Sequence, residues 1–131
     1  MKPITLLFVL ASCLVAVGCN LHSKEVNTFI TERGQVLGQM LDKIDASPNQ
    51  AGIDEARKIF DARKADLKAK WDAIPRGKLS TPDTIDMATS DSLNIKLWIA
   101  VQRKSASQKG WDTAVDKKFY ALENDFDSTF K

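Results

Sequence analysis

Few residues in this 131-residue chain could do chemistry, and they are scattered. The nucleophilic and soft groups are the thiols of Cys13 and Cys19, the imidazole of His22 and the thioethers of Met40 and Met87. An axial haem ligand would have to come from His22, Met40 or Met87. His22 stands three residues after Cys19, ahead of the first helical stretch, and Met40 falls on an apolar stripe where a thioether fills core space. A di-iron carboxylate site needs Glu-x-x-His pairs on two helices, and the chain has none. GxSxG, HExxH and phosphate-binding glycine loops are also missing. Carboxylates are plentiful, but Asp54, Glu55, Asp61, Asp66 and Asp72 sit opposite the apolar stripe of their segment, as a solvated face does. Glu123 and Asp125 lie near the carboxyl end, where fraying works against a fixed geometry. These residues predict no enzyme, no metal site and no cofactor.

Cys19 closes a distinctive stretch. Lys2 is the only charged residue before Lys24, and residues 4–19 form an almost unbroken apolar run. Sixteen residues fall short of the roughly 20 that a spanning helix needs. A short basic start followed by such a run reads as an export signal that is removed. Its end, Ala16-Val17-Gly18-Cys19, resembles the lipobox of bacterial lipoproteins, although Ala16 stands where leucine is commoner. The resemblance implies that Cys19 takes a diacylglyceryl group, becomes the first mature residue and then gains a further acyl chain. A rival box, Leu10-Ala11-Ser12-Cys13, would leave a very short apolar run and strand residues 14–17 in the mature protein. An ordinary signal peptide cut nearby would instead leave one free thiol in an oxidising compartment, a liability that acylation removes. One acyl chain binds a membrane only marginally, whereas two or three on one residue hold. In enteric lipoproteins Asp after the cysteine favours the inner membrane; Asn20 here implies the outer membrane, facing the periplasm.

On that reading residues 1–18 are signal peptide, 19–24 a lipidated tether and 25–131 one helical domain. Cys13 and Lys2 leave with the signal, so the mature chain keeps one cysteine and a net charge near +1. A single cysteine excludes a disulfide framework, a cysteine metal site and CxxCH haem attachment. The near-neutral balance argues against a nucleic-acid partner, which selects a basic face. Packing has to stabilise this domain.

Helical spacing of apolar residues organises it. Val26, Phe29, Ile30, Val36, Leu37, Met40, Leu41 and Ile44 make the first stripe, with Ser23 as N-cap. Ser47-Pro48-Asn49-Gln50 reads as a capping box that starts a second helix running to about Ile74. Ile53, Ala56, Ile59, Phe60, Leu67, Trp71 and Ile74 point inward there, with Asp54–Lys58 and Asp66–Lys70 as i,i+4 pairs outside. A third helix follows Thr81-Pro82-Asp83, with Ile85, Ala88, Ile95, Ile99 and Ala106 expected to face the core. Within it Leu93, Ile95, Leu97, Ile99 and Val101 alternate as a strand would. The chain offers no second strand to pair with, so helix is the expectation. After Gly110, Trp111, Ala114, Val115, Phe119, Leu122, Phe126 and Phe130 mark the last helix.

The expected fold is all-α: an antiparallel, up-down-up-down four-helix bundle with helices of similar length. The expected role is structural or protein-interacting, a membrane-tethered bundle that meets an envelope protein. Trp98, on a helix with surplus apolar residues, is the candidate partner surface. A pilotin-like escort of a secretion channel is one variant, although helical pilotins are tied by a disulfide. The alternative is a binder of a small apolar ligand, with Gly34 and Gly38 making room and Arg33, Ser92 and Gln102 marking a wetter spot.

Overall fold

A computed structural model describes residues 23–131. The expected leader, the rival Cys13, Cys19 with its expected acylation and His22 lie outside the described residues. Within them the chain forms α1 (Lys24–Ala46), α2 (Gln50–Ala73), a 3-10 turn (Arg76–Lys78), α3 (Thr81–Ala106) and α4 (Thr113–Ser128), with no strand among the described residues. The fold is an all-α four-helix bundle.

Each helix begins where a side chain can accept an orphan backbone N–H. Ser23 caps α1 by accepting from Val26, Ser80 caps α3 by accepting from Asp83, and Asp112 caps α4 by accepting from Val115. The start of α2 departs from the expected capping box. Asn49 is the cap, its side-chain oxygen accepting from Ala51 and Gly52, and Pro48 stays in the turn. Gly110, at φ 105°, makes the left-handed corner before Trp111 that only glycine takes without strain. Trp111 itself precedes α4, which spans 16 residues against 23, 24 and 26 for the others, so the lengths are not matched.

Chain direction alternates through the bundle, yet only two of the three connections join neighbours. The turns after α1 and α3 make hairpins. The α2–α3 connection crosses the diagonal, for α2 and α3 make no close backbone approach. In its place α1 packs beside α3 and α2 beside α4, and both pairs are parallel. Ser23 meets Asp83, Arg33 meets Asp91 and Asp45 meets Lys104, so both helices advance together. The loop after Ile74, with its 3-10 turn, is long enough to make that crossing.

An aromatic train fills the centre. Trp71 touches Phe29, Phe29 touches Phe130, Phe130 touches Phe126, and Phe126 contacts both Phe60 and Trp98, with centroids 5.1–6.0 Å apart. Tilted and edge-on contacts of this kind add about 0.5–1.5 kcal/mol per pair beyond area burial. Met40 is fully buried on the stripe of α1, as core filling.

Candidate interaction surface

The third helix faces the wrong way for a core helix. Ile85, Ala88, Ile95, Ile99 and Ala106, expected inward, all point to solvent, with Ile85 58%, Ile95 50% and Ile99 42% exposed. The helical period was legible; the direction of the stripe was not. The buried residues of α3 are Asp83, Asn94, Trp98 and Ser105, and Met87 and Val101, partly buried, also pack against the core. Trp98 is the sole fully buried apolar side chain that α3 gives the core, and it packs edge-on against Phe119 at 5.3 Å. Trp98 therefore offers nothing to a partner. The apolar side chains exposed beside it are its neighbours in sequence, Ile95, Leu97 and Ile99.

Polar contacts hold that inner face. Asp83 accepts from the Ser23 backbone N–H at 2.8 Å. Arg33, 5% exposed, reaches from α1 to donate to Ser90 at 2.9 Å and to Asp91 at 2.7 Å. Its guanidinium also lies over the Phe29 ring at 5.0 Å and the Phe130 ring at 5.9 Å. At the other end of α3, Lys104 pairs with Asp45 of α1 at 2.6 Å. Gln102 and the Trp111 indole both donate to Asp116 of α4, at 3.1 and 3.0 Å. These partners offset much of the cost of burying a half-polar face, although the Arg33 Nε, the Trp98 indole N–H and the Ser105 hydroxyl are buried with no partner among the described residues.

The outer face then carries the surplus apolar residues. Ile85, Ala88, Ser92, Ile95 and Ile99 follow one another at intervals of three, four, three and four, the spacing of a coiled-coil seam. Leu93 and Leu97, also exposed, lie about 120–160° round the helix from that seam, on the far side of the buried stripe. The strand-like alternation in the sequence comes from this: residues two apart on a helix sit about 200° apart, so 93, 95, 97 and 99 cover both flanks. No helix among the described residues is long and apolar enough to cross a membrane.

Other candidate chemistry is dispersed. Among the described residues no three His, Cys, Asp or Glu side chains gather as a metal site would require. Asp54, Glu55, Asp61, Asp66 and Asp72 are exposed. Of the two expected ion pairs, Asp66–Lys70 forms at 2.6 Å, while Lys58 turns instead to Glu55 at 2.7 Å. Gly34 and Gly38 open onto empty space and admit no neighbour. A cleft of about 250 Å³ lies between α1, α3 and the end of α4. Arg33, Asp91, Asn94, Asp127 and Lys131 line it beside Ile95 and Phe130, so it is a charged cleft rather than an apolar pocket. Burial pushes the carboxyl of Asp127 above its usual range, against the pull of Lys131 and Arg33. Burial and the nearby Asp127 do the same to Glu123. Asp125 goes the other way. The Lys64 ammonium donating to it, with Arg57 beside it, holds its carboxyl below the usual range.

Of the residues named from sequence, Arg33 is the one whose polar role inside the bundle the structure displays; Ser92 is exposed on the seam and Gln102 bridges α3 to α4. Sequence reasoning missed Asp83 and Asn94 as buried residues and Asp91 as the exposed partner of Arg33. Their signal was present as polar residues at helical spacing with Trp98. Comparison of the chain with protein-family models, with curated proteins and with solved structures finds no match.

Proposed function

We propose that this chain is a lipid-anchored helical bundle of the cell envelope whose working part is the outer face of α3, a docking surface for protein. One observation carries the reading: a heptad-spaced seam, Ile85 to Ile99, stands in solvent while polar residues of the same helix are buried. A monomer that needed nothing else would gain by turning those isoleucines inward. The lipobox-like Ala16-Val17-Gly18-Cys19 supports the tether, and Asn20 supports the outer membrane facing the periplasm. The amino end of α1 and the amino end of α3 are joined through Ser23 and Asp83, so acylation at Cys19 would hold the seam within a few residues of the lipid.

The test is capture from solubilised membranes, with wild type compared against Cys19→Ser and against Ile95→Asp/Ile99→Asp. The wild type should retain a specific protein, a second copy of this chain included, and the isoleucine variant should lose it. The Cys19→Ser protein should leave the membrane fraction. Equal capture by wild type and the isoleucine variant would remove the docking role, and a membrane-bound Cys19→Ser protein would remove the anchor.

The charged lining of the Arg33 cleft does not favour an apolar ligand, so the apolar-ligand reading has no observation behind it.

A further inference from the structure

We infer that the cleft between α1, α3 and the end of α4 binds a small zwitterion, an α-amino acid with a short apolar side chain. Its carboxylate is held at Arg33 and Asn94, and its ammonium at Asp127. The site does not depend on the docking reading: of the seam residues, only Ile95 lines the cleft.

Three side chains in this lining keep hydrogen-bonding capacity that the fold does not use. Arg33 is buried, and both of its hydrogen bonds, to Ser90 and Asp91, leave from Nη2. Its Nε is buried without a partner, and no hydrogen bond from Nη1 forms among the described residues. Asn94, 5% exposed on the buried stripe of α3, lines the same cleft, and its amide makes no hydrogen bond among the described residues. Asp127 brings a half-buried carboxylate from α4 with no hydrogen bond or ion pair among the described residues. Buried polar groups are ordinarily paired, so unpaired ones gathered on a single cavity mark room for a polar guest.

Charge selects the class of guest. The lining holds two cations, Arg33 and Lys131, and two acids, Asp91 and Asp127. A lone anion or a lone cation would meet charges of its own sign there. A molecule carrying both signs finds an opposite charge at each end. The Arg33 Nη1 and the Asn94 amide N–H groups are donors that suit a carboxylate, and the exposed Lys131 adds a cation at the rim. Asp127 suits an ammonium. In the free protein its ionised form is a cost, because burial holds the carboxyl above its usual range, and an ammonium beside it would remove that cost.

Size agrees. The cleft of about 250 Å³ is smaller than the roughly 300–1,000 Å³ of pockets that take drug-sized ligands, and it suits a molecule of amino-acid size. Ile95 and Phe130 supply an apolar wall for an aliphatic side chain.

Calorimetric titration of the full-length protein with L-leucine tests this, beside 4-methylpentanoate, which lacks the ammonium, and 3-methylbutylamine, which lacks the carboxylate. L-leucine should bind with a Kd below about 1 mM, and each half-ligand at least about tenfold more weakly. Asp127→Asn removes a half-buried charge and keeps the shape of the side chain. It should weaken L-leucine at least about tenfold and leave 4-methylpentanoate within about twofold. Arg33→Met should weaken L-leucine and 4-methylpentanoate alike and leave 3-methylbutylamine within about twofold. A Kd for L-leucine above about 1 mM would leave the cleft to water and overturn the site. Half-ligands that bind the wild type as tightly as L-leucine would overturn the zwitterion, and so would an unchanged L-leucine affinity in a folded Asp127→Asn protein.

Discussion

Arg33 on α1 and Asp91 on α3 are joined at 2.7 Å although one is buried and the other half exposed. The bond stitches two parallel helices that no short loop connects. Because Asp91 keeps water, losing Arg33 strands no buried charge, and the cost comes from lost packing between Phe29 and Phe130. Arg33→Met keeps an aliphatic stem there and removes a guanidinium Nε that has no partner among the described residues. It should stay within about 1.5 kcal/mol of wild type. Arg33→Ala should cost about 2–4 kcal/mol. Urea unfolding of both variants reads the difference.

Gly52 sits where the end of α1 meets the start of α2. A Cβ there would stand 1.9 Å from the Ser47 carbonyl oxygen and 2.9 Å from that of Lys43. Backbone, not a flexible side chain, would have to move. Gly52→Ala should therefore lower stability by about 1–3 kcal/mol, despite the usual helix preference for alanine. Gly34→Ala, which meets nothing, should instead raise stability by up to about 1 kcal/mol. Thermal melts of the two variants should move in opposite directions.

The two sides of α3 predict opposite phenotypes. Trp98→Ala opens a cavity against Phe119 and Phe126 and should cost about 3–5 kcal/mol. Ile95→Ser, at a half-exposed position, should change monomer stability by no more than about 0.5 kcal/mol. On the proposed docking role, only the second should abolish protein capture from solubilised membranes while leaving the circular dichroism spectrum unchanged.

Asp125 and Asp127 give opposite pH dependences. Lys64 and Arg57 depress the Asp125 carboxyl in the folded state, so its pairing stabilises fully above the unfolded value near ~4 and is lost as pH falls through the lower folded value. Asp127 is raised by burial, so its contribution is present below about pH 4 and lost as pH rises through the folded value. At pH 7, Asp125→Asn should lower Tm by about 1–4 °C and Asp127→Asn should raise it by a similar amount. Below about pH 4 both differences should shrink toward zero. Melts at a series of pH values check the pattern.

Helix existence was legible because apolar spacing sets the period before any tertiary contact forms. Val26 to Ile44 and Val115 to Phe130 carry one apolar stripe each, and both turned inward as spacing requires. Two other features did not follow from it. Asn49 took the cap that Ser47 seemed placed to supply, because either side chain can accept an N–H and the packing around Gly52 decides which turn closes. Trp98 was marked by the surplus of apolar neighbours on its helix. That surplus does belong to a surface, but the surface lies on the flanks of the helix, about 60–140° round from the buried indole.

Composition and periodicity by themselves determined an all-helical domain of four segments; the lipobox-like stretch that makes a tether the expectation lies outside the described residues. They could not determine which way α3 would turn. That helix has two faces of similar hydrophobicity, one apolar by its isoleucines and one mixed, and local preference is nearly indifferent between them. The choice is made by long-range partners: Ser23 for Asp83, Arg33 for Asp91, and the Phe119–Phe126 niche for Trp98. A polar face can be buried once its charged groups find partners across it, as Asp83 does with Ser23 and Asp91 with Arg33, and the isoleucines are then left outward.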